Sequence, residues 1–289
     1  MPFESFEEEE TRLREAVRLA PDDAEAHFNL GFLLRRFLCD MEKTKEAEKE
    51  LKEALRLNPG HDQALWRLAG VLFNHAKYAE VVPAFLESIR RNPKRDHSST
   101  RWQIGYALLR QWKYQEAEEW FRKSLRKDRT YERVRYDLSE ALWKQGKFKE
   151  AVKVLLRPPR MKRGNPEFHY RLGRCYAQWG KEKEALKSLQ STIAKWSRQL
   201  EAVVKERPSK NRNPAHEDPR VGTLERFMLW LSPDLKSDGE WDSLRNDKRF
   251  KKLAADTERL WAKREKALKM FKMKRLRVER KVTRKSKDK

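Results

Sequence analysis

The stretch "ALWKQGKFKEAVKVL", residues 141–155, decides the fold of this chain, because it reads as one short helix, a turn at Gly146 and the start of a second helix. Its apolar residues Leu142, Ala151 and Leu155 fall at helical spacing and form a narrow stripe. An isolated pair of helices this short is marginal in water, so the stripe must pack against a neighbour. The rest of the chain should therefore contain segments of the same kind.

Five copies of one pattern run through the sequence. Each copy has an apolar residue followed by a small one, and the small residues are 38, 36, 34 and 34 positions apart, at Gly31, Ala69, Gly105, Ser139 and Gly173. A small residue lets two helices approach closely, and large apolar residues every three or four positions form the buried stripe. Self-similarity at a fixed period is typical of stacked repeats, so each copy is predicted to be a helical hairpin.

These features resemble the tetratricopeptide repeat (TPR) family, which has a period of 34 residues, a small residue and an alanine at these offsets, and a proline that ends the second helix, as at Pro59 and Pro93. The resemblance covers residues 7 to 200. It implies an all-α, right-handed TPR-type helical solenoid of about five and a half repeats with a C-terminal helical, basic extension. It says little about function, because TPR arrays bind many unrelated partners.

The expected organisation has five segments. They are a capping half-repeat at 1–23, five repeats at 24–205 with an extended last helix, a polar Pro-rich linker at 206–220, a short helical closing segment at 221–258, and a basic helical tail at 259–289. The stretch "WDSLRNDKRFKKLA" is similar to a short segment that closes TPR arrays in bacterial proteins. Pro158 is expected to end or bend the second helix of the fourth copy.

The C-terminal segment is strongly basic. The chain carries a net charge of +23, and residues 259–289 contain fifteen Lys or Arg against Glu265, Glu279 and Asp288, a net of +12. This density favours a polyanion, with nucleic acid first and an anionic membrane surface second. The predicted polyanion-binding residues are Lys272, Lys274, Arg275, Arg277, Arg280, Lys281, Arg284 and Lys285.

The resemblance also implies a groove. In the TPR family the first helix of each hairpin lines the concave face, and the fifth residue of the repeat points into it. That position is aromatic in all five copies here, and arginines such as Arg35 lie between the rings. The implied groove residues are Phe28, Phe32, Trp66, Arg67, Phe73, Trp102, Tyr106, Arg110, Tyr136, Trp143, Tyr170, Arg171 and Arg174.

Two interpretations of this aromatic row stay open. The rings could pack between helices, as aromatic residues at this repeat position do, or they could form a binding surface. A binding surface of this kind suits an extended peptide with apolar and acidic side chains, or bases stacked on rings with arginines on phosphates. The Lys, Asn and Arg clamp with which TPR cochaperones hold a chaperone C-terminus does not match the equivalent positions of this chain.

The sequence gives no support for catalysis. It has no HExxH, no glycine-rich phosphate loop, no GxSxG and no Cys/His cluster with ligand spacing, and Cys39 and Cys175 lie outside any CxxC. We therefore expect no enzymatic activity, no cofactor, no metal and no small-molecule substrate.

Two classes of function remain. The first is a scaffold or adaptor that binds a protein or an extended peptide in its groove and attaches to RNA or a ribonucleoprotein through its tail. The second is an RNA-binding helical-repeat protein that uses both groove and tail, with tail-mediated binding to an anionic membrane surface as a less favoured alternative. The sequence has no apolar run like a signal peptide or a membrane span, so a cytoplasmic location is expected, with organelles left open.

Overall fold

The computed structural model describes the backbone of residues 6–37, 40–157, 165–205 and 239–287, and the side chains of these residues as far as residue 270. All regular structure in these ranges is helical. The chain divides into two compact units, residues Met1–Gln145 and Gly146–Lys289. Among the described helices, none has an apolar run long enough to cross a bilayer.

The first unit consists of antiparallel helical hairpins in chain order. Helix α2 packs on α3, α4 on α5 and α6 on α7, and each second helix also contacts the first helix of the next hairpin. The helices are α1 (Phe6–Leu19), α2 (Ala24–Leu34), α3 (Met41–Leu57), α4 (Asp62–Asn74), α5 (Tyr78–Arg91), α6 (Ser98–Arg110), α7 (Tyr114–Lys127) and α8 (Glu132–Lys144), with a 3-10 turn at Pro93–Arg95.

The small residues of the repeat allow each hairpin to close. A Cβ atom on Gly31 would lie 2.9 Å from Leu51 Cγ and 3.1 Å from the carbonyl oxygen of Ala47. A Cβ atom on Gly105 would lie 2.8 Å from the ring of Phe121. Only a residue without a side chain fits at these crossings, because contacts this short force the neighbouring helix to move.

Helix α1 covers the start of the first unit. Its residues Leu13 and Val17 pack against a buried cluster of Leu30, Leu34 and Ala47. Charged residues surround this apolar contact, and Arg14 reaches Glu46 while Lys43 reaches Glu10. Such an arrangement is what the end of a repeat array needs, since an uncovered apolar face would be exposed to water.

The second unit is built around a buried tryptophan. Trp241 is fully buried, and its ring lies 5.9 Å from that of Tyr170 and 6.2 Å from that of Phe250. It lies in the 3-10 segment Gly239–Leu244, which we call the closing turn. The other elements are α9 (Phe148–Leu156), α10 (Pro166–Gln178), α11 (Glu182–Lys205) and α12 (Lys248–Lys287).

The predicted fold class, a TPR-type helical solenoid with a C-terminal helical extension, is confirmed by these elements and their order. The extension is α12, a helix of 40 residues. The domain boundaries stay a prediction. Helix α9 ends at Leu156, two residues before Pro158, which confirms the expected early end of that helix. The linker at 206–220 and the first part of the closing segment at 221–258 lie outside the described residues.

Candidate partner-binding face

The first helices of the hairpins in the first unit carry a set of half-buried aromatic side chains. We call Phe32 on α2, Trp66 and Phe73 on α4, and Trp102 and Tyr106 on α6 the aromatic face. In each first helix the small residue faces the second helix of the same hairpin. The aromatic residues lie on a different side of the first helix, because of the helical spacing between them and the small residue. Each ring therefore has part of its surface in contact with protein and part with solvent.

Three rings of this face form one contact group across two helices. The centroid of Phe73 lies 5.6 Å from that of Trp102 and 5.5 Å from that of Tyr106, and the last two are 5.8 Å apart. These are the separations at which aromatic pairs stabilise one another. Trp102 Nε1 also donates a hydrogen bond of 2.7 Å to Asp137 on α8. The rings thus help to join neighbouring hairpins, and their outer surfaces remain accessible.

The other end of the aromatic face carries two arginines. The guanidinium carbon of Arg67 lies 4.5 Å from the ring centroid of Phe32 and 4.6 Å from that of Trp66. Arg35, from the preceding hairpin, lies 4.9 Å from the same Phe32 ring. Within the described part of the chain neither arginine has a carboxylate partner, and the Nε atom of each is buried without a hydrogen bond.

The environment of these arginines disfavours their charge. Burial lowers the pKa of Arg67, and the charges of Arg35 and Arg95 lower it further. Burial likewise lowers the pKa of Arg35, with a contribution from Arg36. Arg95 differs, because its guanidinium lies 2.7 Å from a carboxylate oxygen of Asp62. Two like charges without a carboxylate partner in the described part of the chain therefore lie beside one ring.

Not every predicted groove residue lies on this face. Phe28 and Tyr136 are buried within the first unit, where Phe28 packs 4.6 Å from the ring of His61. Trp143 is half-buried and Arg110 is exposed. The proposed binding face therefore leaves out Phe28 and Tyr136.

In the second unit the predicted groove residues contact the chain itself. Tyr170, Arg171 and Arg174 are buried. Arg174 Nε lies 2.5 Å from Glu240 Oε2. The closing turn that supplies Glu240 is held further by a hydrogen bond of 2.9 Å from Gln178 Nε2 to the Glu240 carbonyl. The closing turn thus contacts Tyr170 and Arg174. Sequence reasoning could not show this, because the partners are about 70 positions apart.

Sequence reasoning also missed Trp112. It lies in the turn between α6 and α7 with φ of 62° and is 78% exposed. Gly146 and Gly180 occupy the same place in later repeats, with φ of 74° and 75°. The signal in the sequence was a tryptophan at a turn position where two later copies have glycine, because a left-handed turn favours glycine.

The described residues contain no group of three or more His, Cys, Asp or Glu placed to hold a metal ion. His27 is buried between Glu50, at 2.6 Å from Nδ1, and the carbonyl oxygen of Pro21, at 2.9 Å from Nε2. Both ring nitrogens make hydrogen bonds within the protein, and the bond to Glu50 joins α2 to α3. Cys175 is a buried free thiol.

The backbone of the predicted basic tail is helical as far as Lys287. Its attachment is apolar, since Phe250, Ala254, Leu260, Ala267 and Leu268 of α12 belong to the core of the second unit. The side chains of the predicted polyanion-binding residues, Lys272 to Lys285, lie beyond those described.

Stacked helical hairpins with a small residue at each crossing define a helical-repeat scaffold. Models of the family described as "Tetratricopeptide repeat" match residues 38–96, 72–132, 108–164 and 166–191, more than half of the chain. This chain belongs to the tetratricopeptide repeat family. No curated protein matches the sequence.

Several solved structures share the fold. YrrB, described as a TPR protein with an unusual peptide-binding site, has 18% identity and a TM-score of 0.53, covering 63% of this chain and 91% of its own. MamA 41-end from Desulfovibrio magneticus has 19% identity and a TM-score of 0.54, covering 61% and 96%. The C-terminal part of a TPR protein from Cytophaga hutchinsonii has 11% identity and a TM-score of 0.56, covering 94% of both chains.

Proposed function

We propose that this protein is a non-enzymatic scaffold whose aromatic face binds an extended segment of a protein partner. The observation that carries the proposal is the aromatic face itself, on which five large rings remain partly accessible along three successive first helices. Aromatic and arginine side chains dominate the energetics of protein interfaces. Aromatic rings bury a large area with few rotatable bonds, and a guanidinium stacks on rings and donates several hydrogen bonds.

The family and the solved structures support this proposal. Proteins of the TPR family are typically scaffolds without catalytic activity, and YrrB is described as binding a peptide. Helical-repeat proteins use the extended surface made by their stacked hairpins. Binding of a partner protein on this surface needs neither a cofactor nor a small-molecule substrate. It is compatible with a cytoplasmic location.

The test is affinity capture from a cell extract, with and without nuclease. The variant Trp66→Ala/Trp102→Ala removes two rings of the aromatic face, and Trp112→Ala removes an exposed indole outside it. We expect the wild type and the Trp112→Ala control to capture the same protein after nuclease treatment, and the double variant to lose it. Equal capture by all three proteins would contradict the proposal. If the double variant does not fold, the rings of Trp66 and Trp102 act in packing between helices and not in binding.

A second role is proposed for the basic tail, because +12 of the +23 net charge lies in residues 259–289. A helix continuous with the core of the second unit can present such charges to RNA or a ribonucleoprotein, which would bring the scaffold to its site of action. The alternative, in which groove and tail both bind RNA, predicts that capture by the aromatic face is lost with nuclease. Binding to an anionic membrane is a further alternative and predicts association with vesicles.

A further inference from the structure

We propose that Arg35 and Arg67 form a carboxylate-binding site, which takes an acidic side chain of the partner's extended segment beside an aromatic or large apolar residue. The inference rests on the proposed function and names the chemistry of the segment that the aromatic face binds.

The two arginines lie near the same ring. Arg35 directly follows α2 and Arg67 lies in α4, and their guanidinium carbons are 4.9 Å and 4.5 Å from the centroid of Phe32. Stacking on an aromatic ring fixes the plane of a guanidinium and leaves its N–H edges free to donate. A carboxylate that docks beside this ring can therefore accept from a guanidinium edge.

Arg35 and Arg67 lack a carboxylate partner in the described part of the chain. Two other half-buried cations of the first unit have carboxylate partners, since Arg95 lies 2.7 Å from Asp62 and Lys43 lies 2.6 Å from Glu10. In the described part of the chain Arg35 and Arg67 have none, and each has a buried Nε without a hydrogen bond. Charges withdrawn from water without a partner are costly, and an incoming anion would supply what is absent.

In the second unit an arginine and an aromatic ring of a first helix are already bound by a segment of the chain itself. Glu240 of the closing turn places a carboxylate oxygen 2.5 Å from Arg174, and the next residue, Trp241, packs its ring 5.9 Å from Tyr170. Tyr170 and Arg174 are repeat positions five and nine, which in the first hairpin are Phe28 and Phe32. An acidic residue followed by an aromatic one is therefore a segment that a first helix of this protein does bind.

The charges along the aromatic face suit a peptide better than a nucleic acid. An RNA strand would need cations along the whole face, since each nucleotide adds a phosphate. Trp102 on α6 has charges of both signs beside it, because its Nε1 donates to the carboxylate of Asp137 at 2.7 Å and the guanidinium carbon of Arg133 lies 4.9 Å from its ring centroid. Both charges beside Phe32 are positive. A single acidic side chain flanked by apolar residues suits this distribution of charge better.

The experiment begins with selection of random peptides displayed on phage, with the full-length protein as bait. We expect selected peptides to share an Asp or Glu beside an aromatic or large apolar residue. One selected peptide is then synthesised in its acidic form and with the acid replaced by the amide, and both are titrated against three proteins. These are the wild type, Arg35→Gln/Arg67→Gln, and Arg56→Gln/Arg90→Gln, which removes two exposed arginines and so the same net charge.

The double variant at the site should bind the acidic peptide at least about ten-fold more weakly than the wild type, because charge-assisted hydrogen bonds are lost. The amide peptide should not distinguish the wild type from the site variant, and the control should behave as the wild type. The melting temperature of the site variant should not fall, since it loses two like charges. A lower melting temperature with unchanged peptide affinity would assign the arginines to structure and overturn the inference.

The other outcomes separate the inference from the proposed function. Peptides selected without an acid, or equal affinity for acid and amide, would overturn the carboxylate site and leave the peptide-binding face standing. Failure to select any peptide would overturn both. A single-stranded RNA that binds the wild type and is lost from the site variant, with peptide binding unchanged, would reassign the arginines to phosphate and overturn the inference.

Discussion

Residues at equivalent repeat positions differ in how well they suit their backbone, and Trp112 is the clearest case. The turn between the helices of a hairpin requires a left-handed residue, which glycine supplies at Gly146 and Gly180. Trp112 adopts the same conformation with a bulky side chain, and its indole is exposed. This position therefore keeps an unfavourable backbone conformation without an evident packing gain in return.

We expect Trp112→Gly to raise the free energy of unfolding by about 0.5 to 1 kcal/mol, because relief of the left-handed conformation exceeds the entropy that glycine loses on folding. Thermal denaturation of the two proteins measures the change. The matched control is Ala76→Gly, at the same turn position with φ of 56°, where a smaller gain is expected. A lower melting temperature for Trp112→Gly would show that the indole makes a stabilising contact.

Glu48 is a buried residue of the first unit whose ionised form is stabilised by its neighbours. Burial alone would raise its pKa, but hydrogen bonds from Lys52, Lys77 and His75 lower the pKa to about 2 from 4.5. A lowered folded-state pKa means that the stabilisation is fully present above pH 4.5 and is lost as the pH falls towards about 2.

We expect Glu48→Gln to destabilise the protein by about 2 kcal/mol at neutral pH. This is less than the free energy that corresponds to the full pKa shift of Glu48, because its partners Lys52 and Lys77 are half-exposed and solvent screens their charges. The difference in stability between variant and wild type should shrink as the pH falls from 4.5 to about 2. Denaturant titrations at a series of pH values measure it. A pH-independent difference would mean that Glu48 acts by packing and not by charge.

At the scale of the helical elements, the close crossings of each hairpin set the repeat. We expect Gly105→Leu to destabilise the protein by about 1 to 3 kcal/mol or more, because its side chain would enter the ring of Phe121. Gly70→Ala is the control, since a Cβ atom there meets nothing within 4 Å and alanine is the better helix former. Equal melting temperatures for Gly105→Leu and wild type would contradict the assigned crossing.

The hairpins could be predicted from sequence because their contacts are local and recur. The small residues and their large partners, such as Gly105 and Phe121, are only 16 positions apart and repeat five times in one register. The convergence of Arg35 and Arg67, and the burial of Tyr170 and Arg174 by the closing turn, depend on side-chain directions and on segments distant in the chain. A periodic pattern carries no information about such contacts. The sequence could therefore predict which helices carry the site, but not which of the predicted residues come together.

At the scale of the whole molecule, the basic tail should make binding to RNA depend steeply on salt. If about 6 to 10 of its basic groups neutralise phosphates, affinity should fall roughly a thousand-fold or more between about 50 and 200 mM salt, because condensed counterions are released. Deleting residues 272–289 leaves the buried residues of α12 in place and should lower both the affinity and the salt slope. Equal affinity and slope for the full-length and truncated proteins would remove the tail from the function.

The central claim is that the aromatic face of the first unit contacts a protein partner, and site-specific photo-cross-linking tests it most directly. Benzoylphenylalanine is placed at position 66, on the aromatic face, or at position 112, on the exposed turn, in otherwise wild-type full-length protein. The account predicts a nuclease-resistant cross-link to one protein from position 66, suppressed by an excess of unmodified protein, and none from position 112. Cross-links to RNA alone from position 66, or the same protein cross-linked equally from both positions, would contradict it.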